Sequence, residues 1–374
     1  MATTRVLVAG AGIAGLAAAN ALARLDGFEI DVVDPDPRPV GVAVGLSSCA
    51  LRGLDSIGVL DAVLAASAPS MELHMCAADG TTLVHTTRRT PHGQRYPDNV
   101  IVDRLSLAEA LGSSLDERGV GVRSGVALTG VEHVDGGAIA FFDGAGPARY
   151  DLVVGADGIG SRLRGAVIDE SPRALGQLGL RWVTYGMDGL DHGVMYLGGG
   201  AVKLGLWPLR DGRVYAFLTL PRPGMPRAAR QEVLAELRTA LDGYSFPGAE
   251  TLRADVPWDE VHIAAFQSLF VDGPWHDGRV VLVGDAVHAM PPHGSSGAAM
   301  AIEDAHVLAD ELGRRPIAEA LTAYGRRRRD RVRRVVAYST ENCLAENRAA
   351  VEGAAPTMDP DAAQEFWEFL RTEP

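Results

Sequence analysis

The residues of this sequence best equipped for chemistry are three aspartates, each associated with a glycine-rich group. The first group is Gly10-Ala11-Gly12-Ile13-Ala14-Gly15, with Asp34 beyond it at about the 20-residue interval of a dinucleotide fingerprint. In that fingerprint the first glycine permits a tight turn, the second lets the backbone approach a pyrophosphate, and the third lets helix and strand pack closely. Amides left free at the helix start, with the positive end of its dipole, attract phosphate. Asp34 is placed to accept hydrogen bonds from ribose hydroxyls, and its charge would repel a 2′-phosphate. The pattern calls for FAD or NAD here, not NADP.

A second group, Asp157-Gly158-Ile159-Gly160-Ser161-Arg162-Leu163-Arg164, follows the apolar run Leu152-Val153-Val154-Gly155. A carboxylate cannot meet a phosphate without repulsion, so Asp157 is expected to hold its loop, with Arg164 or through water. The third group is Gly284-Asp285-Ala286-Val287-His288, then Pro291-Pro292-His293-Gly294-Ser295-Ser296-Gly297-Ala298 and a helix containing Ile302-Glu303-Asp304-Ala305. Asp285, at a strand end, can accept hydrogen bonds from a sugar-alcohol chain. Pro292, Gly294, Ser295, Ser296, Gly297 and Ala298 lead into a helix start with unpaired amides, donors that stabilise a ring gaining negative charge on reduction.

The elements that must position these groups surround them. Arg5 to Ala9 reads as a buried strand, 14–25 as an Ala-rich helix ended by Gly27, and Glu29 to Asp34 as a second strand. Strand, glycine turn, helix, strand is a βαβ unit, whose parallel strands need a covering crossover helix. A helix is expected over 50–66, short strands over 71–102, a helix over 105–117 and a strand pair over 120–142. The stretch 175–270 is strand-rich, with one helix near 228–241, and carries Trp182, Tyr185, Tyr196, Trp207, Tyr215 and Phe217. Arg279 to Gly284 returns to the parallel-strand style, and a helical tract runs from Ala298 towards Ala350.

Composition narrows the classes. A net charge of −13 and a pI near 5.2 disfavour nucleic acid as a partner. No stretch approaches the ~20 apolar residues of a membrane span, and no secretory leader fits before the first strand, so a cytoplasmic protein is expected. Cys49, Cys76 and Cys343 are expected as packing residues, and no His or Cys spacing reads as a metal site. The arginine-rich run from Arg326 to Arg334 reads as a solvated helix face with local ion pairs, and His288 as a structural partner near the third loop.

The order and spacing of the three groups resemble the FAD-dependent monooxygenases of the para-hydroxybenzoate hydroxylase type, single-component flavoprotein aromatic hydroxylases, over roughly Val6 to Arg334. The resemblance implies an α/β fold: a Rossmann-like FAD-binding domain (1–70, 101–170 and 271–345) with an inserted antiparallel β-sheet substrate domain (71–100 and 171–270). A long C-terminal helical region follows, with 346–374 as its extension. It implies that Asp285 meets the ribityl of FAD, that the Asp157 segment serves both FAD and a passing nicotinamide, and that Arg104 approaches the cofactor from a helix start. Arg38 is expected to reach the pyrophosphate from the loop after the second strand. Two departures stand out: the family commonly has Glu where Asp34 stands, and many members have Gly-Gln-Gly-x-Asn where this chain has Ser295-Ser296-Gly297-Ala298-Ala299. The Trp-x-Trp-x-Ile-Pro run of flavin-dependent halogenases is absent, since Asp259-Glu260-Val261 follows Trp258.

The implied activity uses NADPH or NADH as a transient co-substrate and O₂ to insert one oxygen into an aromatic or polycyclic small molecule through a flavin C4a-hydroperoxide, with no certain catalytic side chain. Tyr185, Trp207, Phe217 and His293 are expected near the substrate. A dehydrogenase or reductase on the same fold, and a non-catalytic flavin protein, are the alternatives. The sequence leaves open the substrate, the nicotinamide, monomer against homodimer, and hydroxylation against epoxidation or Baeyer–Villiger oxidation.

Overall fold

The computed structural model describes residues 3–90, 93–225, 227–354 and 359–374. Strands Thr4–Ala9, Phe28–Asp34, Leu152–Gly155 and Val280–Leu282 are short Val- and Leu-rich runs, largely buried, as parallel strands covered on both faces must be. They form the centre of a six-stranded sheet, in the order Val280–Leu282, Leu152–Gly155, Thr4–Ala9, Phe28–Asp34. All three pairings are parallel. Val122–Ser124 adds a parallel edge strand beside Asp34, and His276–Asp277 an antiparallel one at the other edge.

The crossover helix Ile13–Leu22 is rich in alanine and buried on nearly every side from Gly15 onward. Small side chains let it sit between the sheet and helices Arg104–Asp116 and Gly297–Leu312. Asn20, fully buried within it, donates to the carbonyls of Leu16 and Leu111, both at 2.9 Å, and so ties two helices together.

Both insertions, with His288–Ala289 of the third loop added at one edge, build one eight-stranded sheet. Its order is His288–Ala289, His262–Phe270, Arg173–Thr184, Val214–Pro221, Lys203–Pro208, Gly193–Leu197, Glu72–Ala77, Thr82–Thr87. Pairing is antiparallel except where Gly193–Leu197 runs parallel to Glu72–Ala77, the seam between the insertions. Alternation sorts its side chains. Leu180, Trp182, Leu204, Leu206, Ala216 and Leu218 pack against helices Arg230–Asp242 and Ala249–Ala254 as a second core. The residues between them, among them Arg181, Tyr215, Phe217 and Trp207, belong to the other face, towards the parallel sheet.

Several local expectations change. The helix over 50–66 is two helices, Ser48–Ser56 and Leu60–Ala66, because the chain turns at Ile57-Gly58. The strand pair over 120–142 is the edge strand Val122–Ser124 followed by an antiparallel sheet of Leu128–Val134, Gly137–Phe142 and Ala145–Tyr150. Helix Ala249–Ala254 is too short to show a helical period. The C-terminal tract divides at Gly313 into Gly297–Leu312 and the long helix Ile317–Glu352, and Pro360–Arg371 follows. No helix among the described residues is long and apolar enough to cross a membrane.

Candidate functional site

Three loops far apart in the chain meet at the ends of the central parallel strands. A β-carbon on Gly10, whose φ is +110°, would stand 2.3 Å from the Ala156 carbonyl oxygen, so the first loop lies directly on the second. On Gly284, at φ +59°, a β-carbon would stand 2.6 Å from that of Ala14, so the third loop lies on the first helix. Only glycine meets both demands. Gly15 is walled in by the Gly10 carbonyl, whereas Gly12 faces open space. One open glycine between two closed ones is the arrangement that lets a pyrophosphate approach the backbone.

Helices Ile13–Leu22 and Gly297–Leu312 both begin without a side-chain cap. Ser296 Oγ donates to the Gly294 carbonyl at 2.6 Å, and Ser295 takes a left-handed turn, φ +47°. First-turn amides of both helices are therefore open to an anionic ligand. Asp34 accepts hydrogen bonds from the amides of Ala11 (2.6 Å) and Asp36 (2.7 Å), bracing the first loop while keeping lone pairs for hydroxyl donors. Asp157 accepts from the amides of Arg162 (2.8 Å) and Leu163 (3.2 Å), and its second oxygen is buried without a hydrogen-bond partner. Its loop is thus held through backbone, without a hydrogen bond from Arg164. The Arg164 guanidinium instead donates to the carbonyls of Ile159, Glu170 and Ala286, joining the second loop to the third.

Asp285 is open to solvent, yet crowding by protein raises its carboxyl, with His288 and Arg104 opposing. Arg104, at the start of helix Arg104–Asp116, is partly buried; burial lowers its guanidinium, and Arg181, Asp285 and Tyr215 are its influential neighbours. Arg181 comes from the eight-stranded sheet, beside Tyr215 and 5.7 Å from the Phe266 ring centre, with no carboxylate partner among the described residues. Trp207 stacks on Phe217 at 5.4 Å, and Tyr215 is 5.8 Å from Phe217. Ala43, Ile101 and Leu209 complete this apolar wall. A nucleotide-type loop cluster therefore faces aromatic rings, with two guanidiniums between.

The third loop is held from behind by a buried ion network. Asp304 accepts from the Gly284 amide (2.9 Å), His288 Nε2 (2.6 Å) and Arg328 Nε (2.8 Å). Burial would raise the Asp304 carboxyl, but His288 and Arg328 hold it below the usual carboxylate range. Glu303 accepts from Arg328 and Arg331, each at 2.8 Å. The solvated-face reading of the arginine run therefore fails for Arg328 and Arg331, which are buried, while Arg326, Arg333 and Arg334 are exposed. The carboxylates that bury the first two come from another helix, and a helical wheel of the run alone does not show them.

His293, Glu346 and Lys203 form a second buried cluster between the third loop, the long helix and the eight-stranded sheet. Glu346 accepts from His293 Nε2 at 2.9 Å, from Gln177 at 3.0 Å and from the Lys203 ammonium. Burial alone would raise its carboxyl; Lys203 and His293 overcome that and hold it at about 2, against an ordinary 4.5. A carboxyl lowered by folding adds stability above its unfolded value, lost as pH falls from about 4.5 towards about 2. Glu346→Gln is expected to destabilise the protein by about 3 kcal/mol at pH 7, since it leaves Lys203 buried and unpaired. Urea denaturation of both proteins should show the gap closing through that acid window; a gap that is absent at pH 7, or that persists unchanged at pH 3, contradicts the assignment.

Two expected residues lie elsewhere. Arg38 is 87% exposed and forks on to Asp36 at 2.6 and 2.7 Å, because a carboxylate two residues away captures it more readily than a distant loop. Tyr185 is 55% exposed beyond the end of strand Arg173–Thr184, and its amide donates to Asp255. Sequence reasoning missed Arg181 and Lys203 on the sheet and Glu346 on the long helix. Period-two alternation outward from Trp182 would have found Arg181.

The comparisons agree with this geometry. The family model described as FAD binding domain matches residues 3–339. Salicylate hydroxylase of Pseudomonas putida is 30% identical, over 94% of this chain and 88% of the relative. The 3-amino-4-hydroxybenzoate 2-monooxygenase of Streptomyces platensis is 32% identical, over 90% of this chain and 87% of the relative. Among solved structures, Klebsiella pneumoniae HpxO complexed with FAD and uric acid superposes with a TM-score of 0.82, at 24% identity over 98% of this chain and 93% of that one.

Proposed function

The chain belongs to the FAD binding domain family and is an FAD-dependent monooxygenase, and from that premise we propose that it hydroxylates a small aromatic molecule carrying a negative charge. The observation that carries the substrate class is the pair Arg104 and Arg181, two partly buried guanidiniums close together beside Tyr215, with Asp285 as the carboxylate near Arg104. Cations drawn out of water without full pairing are costly, and an anionic ligand removes the cost. Relatives that act on benzoate-type acids support the same reading.

When bound, FAD supplies electron transfer from NADPH or NADH and the activation of O₂. The first-turn amides of Ile13–Leu22 and the carboxylate of Asp34 hold the nucleotide end, and Asp157 keeps the second loop in place beside it. Asp285 accepts hydrogen bonds from the sugar-alcohol chain. Amides at Gly297 and Ala298, with the positive end of their helix, favour negative charge on the ring. Arg104 sits on the cofactor side. Arg181 takes the acid group of the substrate, Trp207, Phe217 and Tyr215 stack along its ring, and this wall keeps water from the reacting atoms. His293, fixed by Glu346, closes the far side. The reading includes a cytoplasmic setting and a monomer or homodimer.

The test is anaerobic stopped-flow reduction of the FAD-loaded protein by NADPH and NADH. Aromatic carboxylates and phenolates should accelerate reduction, their neutral amides and ethers should not, and Arg181→Met should raise the half-saturating acid concentration about tenfold or more with FAD occupancy unchanged. Equal responses to charged and neutral ligands would overturn the substrate class.

A further inference from the structure

One cluster of chemistry-bearing side chains lies away from the cofactor cleft, at the outer edge of the eight-stranded sheet. Glu72 and His74 share a face of strand Glu72–Ala77, two residues apart. Strand Thr82–Thr87, the exposed edge of the sheet, sets His85 directly across from His74. One ligand atom from each of Glu72, His74 and His85 lies within 4.8 Å of the others. The His74 ring centre is 4.4 Å from that of His85 and 3.9 Å from that of His192. His192 is itself tied to Asp191 through Nδ1 at 2.6 Å.

Hydrogen bonding satisfies only part of the cluster: Thr87 Oγ1 lies 3.3 Å from His85 Nε2. Nε2 of His74 is buried and has no hydrogen-bond partner, and His85 Nε2 stands 3.7 Å from the Glu72 carboxylate. A neutral imidazole nitrogen without a hydrogen-bond partner has a lone pair to offer a Lewis acid. A carboxylate and two imidazoles set edge to face converge here.

We propose that Glu72, His74 and His85 bind one divalent transition-metal ion of the zinc class, water completing the tetrahedron. Imidazole and carboxylate are the ligands such ions take, and three protein ligands with an open position is a common set. Asp191 and His192 act as positioning residues: His192 packs on His74 and fixes its ring, in the manner of outer partners that orient metal-binding imidazoles. The bound ion fastens the edge strand Thr82–Thr87 to its neighbour. The sequence spacing is no zinc signature; cross-strand register creates the site. His74 lies on the sheet face of Val194, opposite the one that carries Phe217, so the ion takes no part in the cofactor cleft.

The test uses tag-free, FAD-loaded protein, stripped with a chelator and titrated with zinc by calorimetry at pH 7.5. The site predicts about one ion per chain, a rise in thermal midpoint on binding, and weaker binding as the solution is acidified, since protons compete with a metal for its ligands. His74→Ala and His85→Ala should each weaken binding at least about tenfold and abolish the thermal shift, with FAD occupancy unchanged; His192→Ala should weaken it less. Absence of stoichiometric binding, or binding that survives both ligand substitutions, overturns the proposal, and neither outcome bears on the monooxygenase assignment.

Discussion

Asp285→Ala is expected to raise the dissociation constant for FAD by about 10- to 150-fold, since hydrogen bonds to a charged group contribute roughly 1.5–3 kcal/mol. The carboxylate is open to solvent and makes no side-chain hydrogen bond among the described residues, so its removal leaves the fold's own contacts intact. Thermal unfolding of the cofactor-free variant should match or slightly exceed that of the parent, because a crowded carboxylate is relieved. Asp285→Asn keeps an acceptor and should fall between the two. Fluorescence titration of apoprotein with FAD reads the effect, and an unchanged affinity for the alanine variant would show that Asp285 does not touch the cofactor.

Arg328→Met should be the most destabilising of the substitutions considered, by about 3–5 kcal/mol, the usual cost of removing one partner from a buried ion pair. Arg328 is 0% exposed and donates to Asp304, Glu303 and the Met300 carbonyl. Its loss leaves Asp304 charged in the interior with His288 and one amide. Glu303 keeps Arg331 and Arg52, so the cost concentrates at Asp304. Because Asp304 also holds the Gly284 amide, FAD affinity should fall with stability. Adding Asp304→Asn should recover part of the loss by removing the stranded charge. Urea denaturation at pH 7 decides it; a change under about 1 kcal/mol would mean that the network contributes little.

Legibility from sequence followed the range of the interactions. The glycine loops were readable because turn chemistry is local: Gly10 and Gly284 adopt left-handed backbone where the sequence puts glycine after a strand. The parallel strands were readable because burial on both faces leaves an unbroken Val and Leu run. Arg328 and Arg331 were misread because their partners come from a different helix, a tertiary fact that amphipathic spacing does not encode. Arg38 was misread in the opposite way: a two-residue contact with Asp36 defeated a long-range expectation. Arg181 and Tyr215 sit on a strand face whose orientation follows from register. The clusters His293–Glu346–Lys203 and Glu72–His74–His85 each join elements whose approach only the sheet order fixes.

The central claim is that one oxygen atom passes from O₂ to an aromatic substrate held between the three loops and the aromatic wall. The most direct measurement is turnover under ¹⁸O₂ with NADPH or NADH, using an aromatic acid that accelerates reduction of the FAD-loaded protein, with product mass and hydrogen peroxide both quantified. The expected result is a product carrying one ¹⁸O for each nicotinamide oxidised and little peroxide. An oxidised or reduced product without the label, with the oxygen recovered as peroxide or not consumed, would contradict it and would make the protein a dehydrogenase or reductase on the same fold.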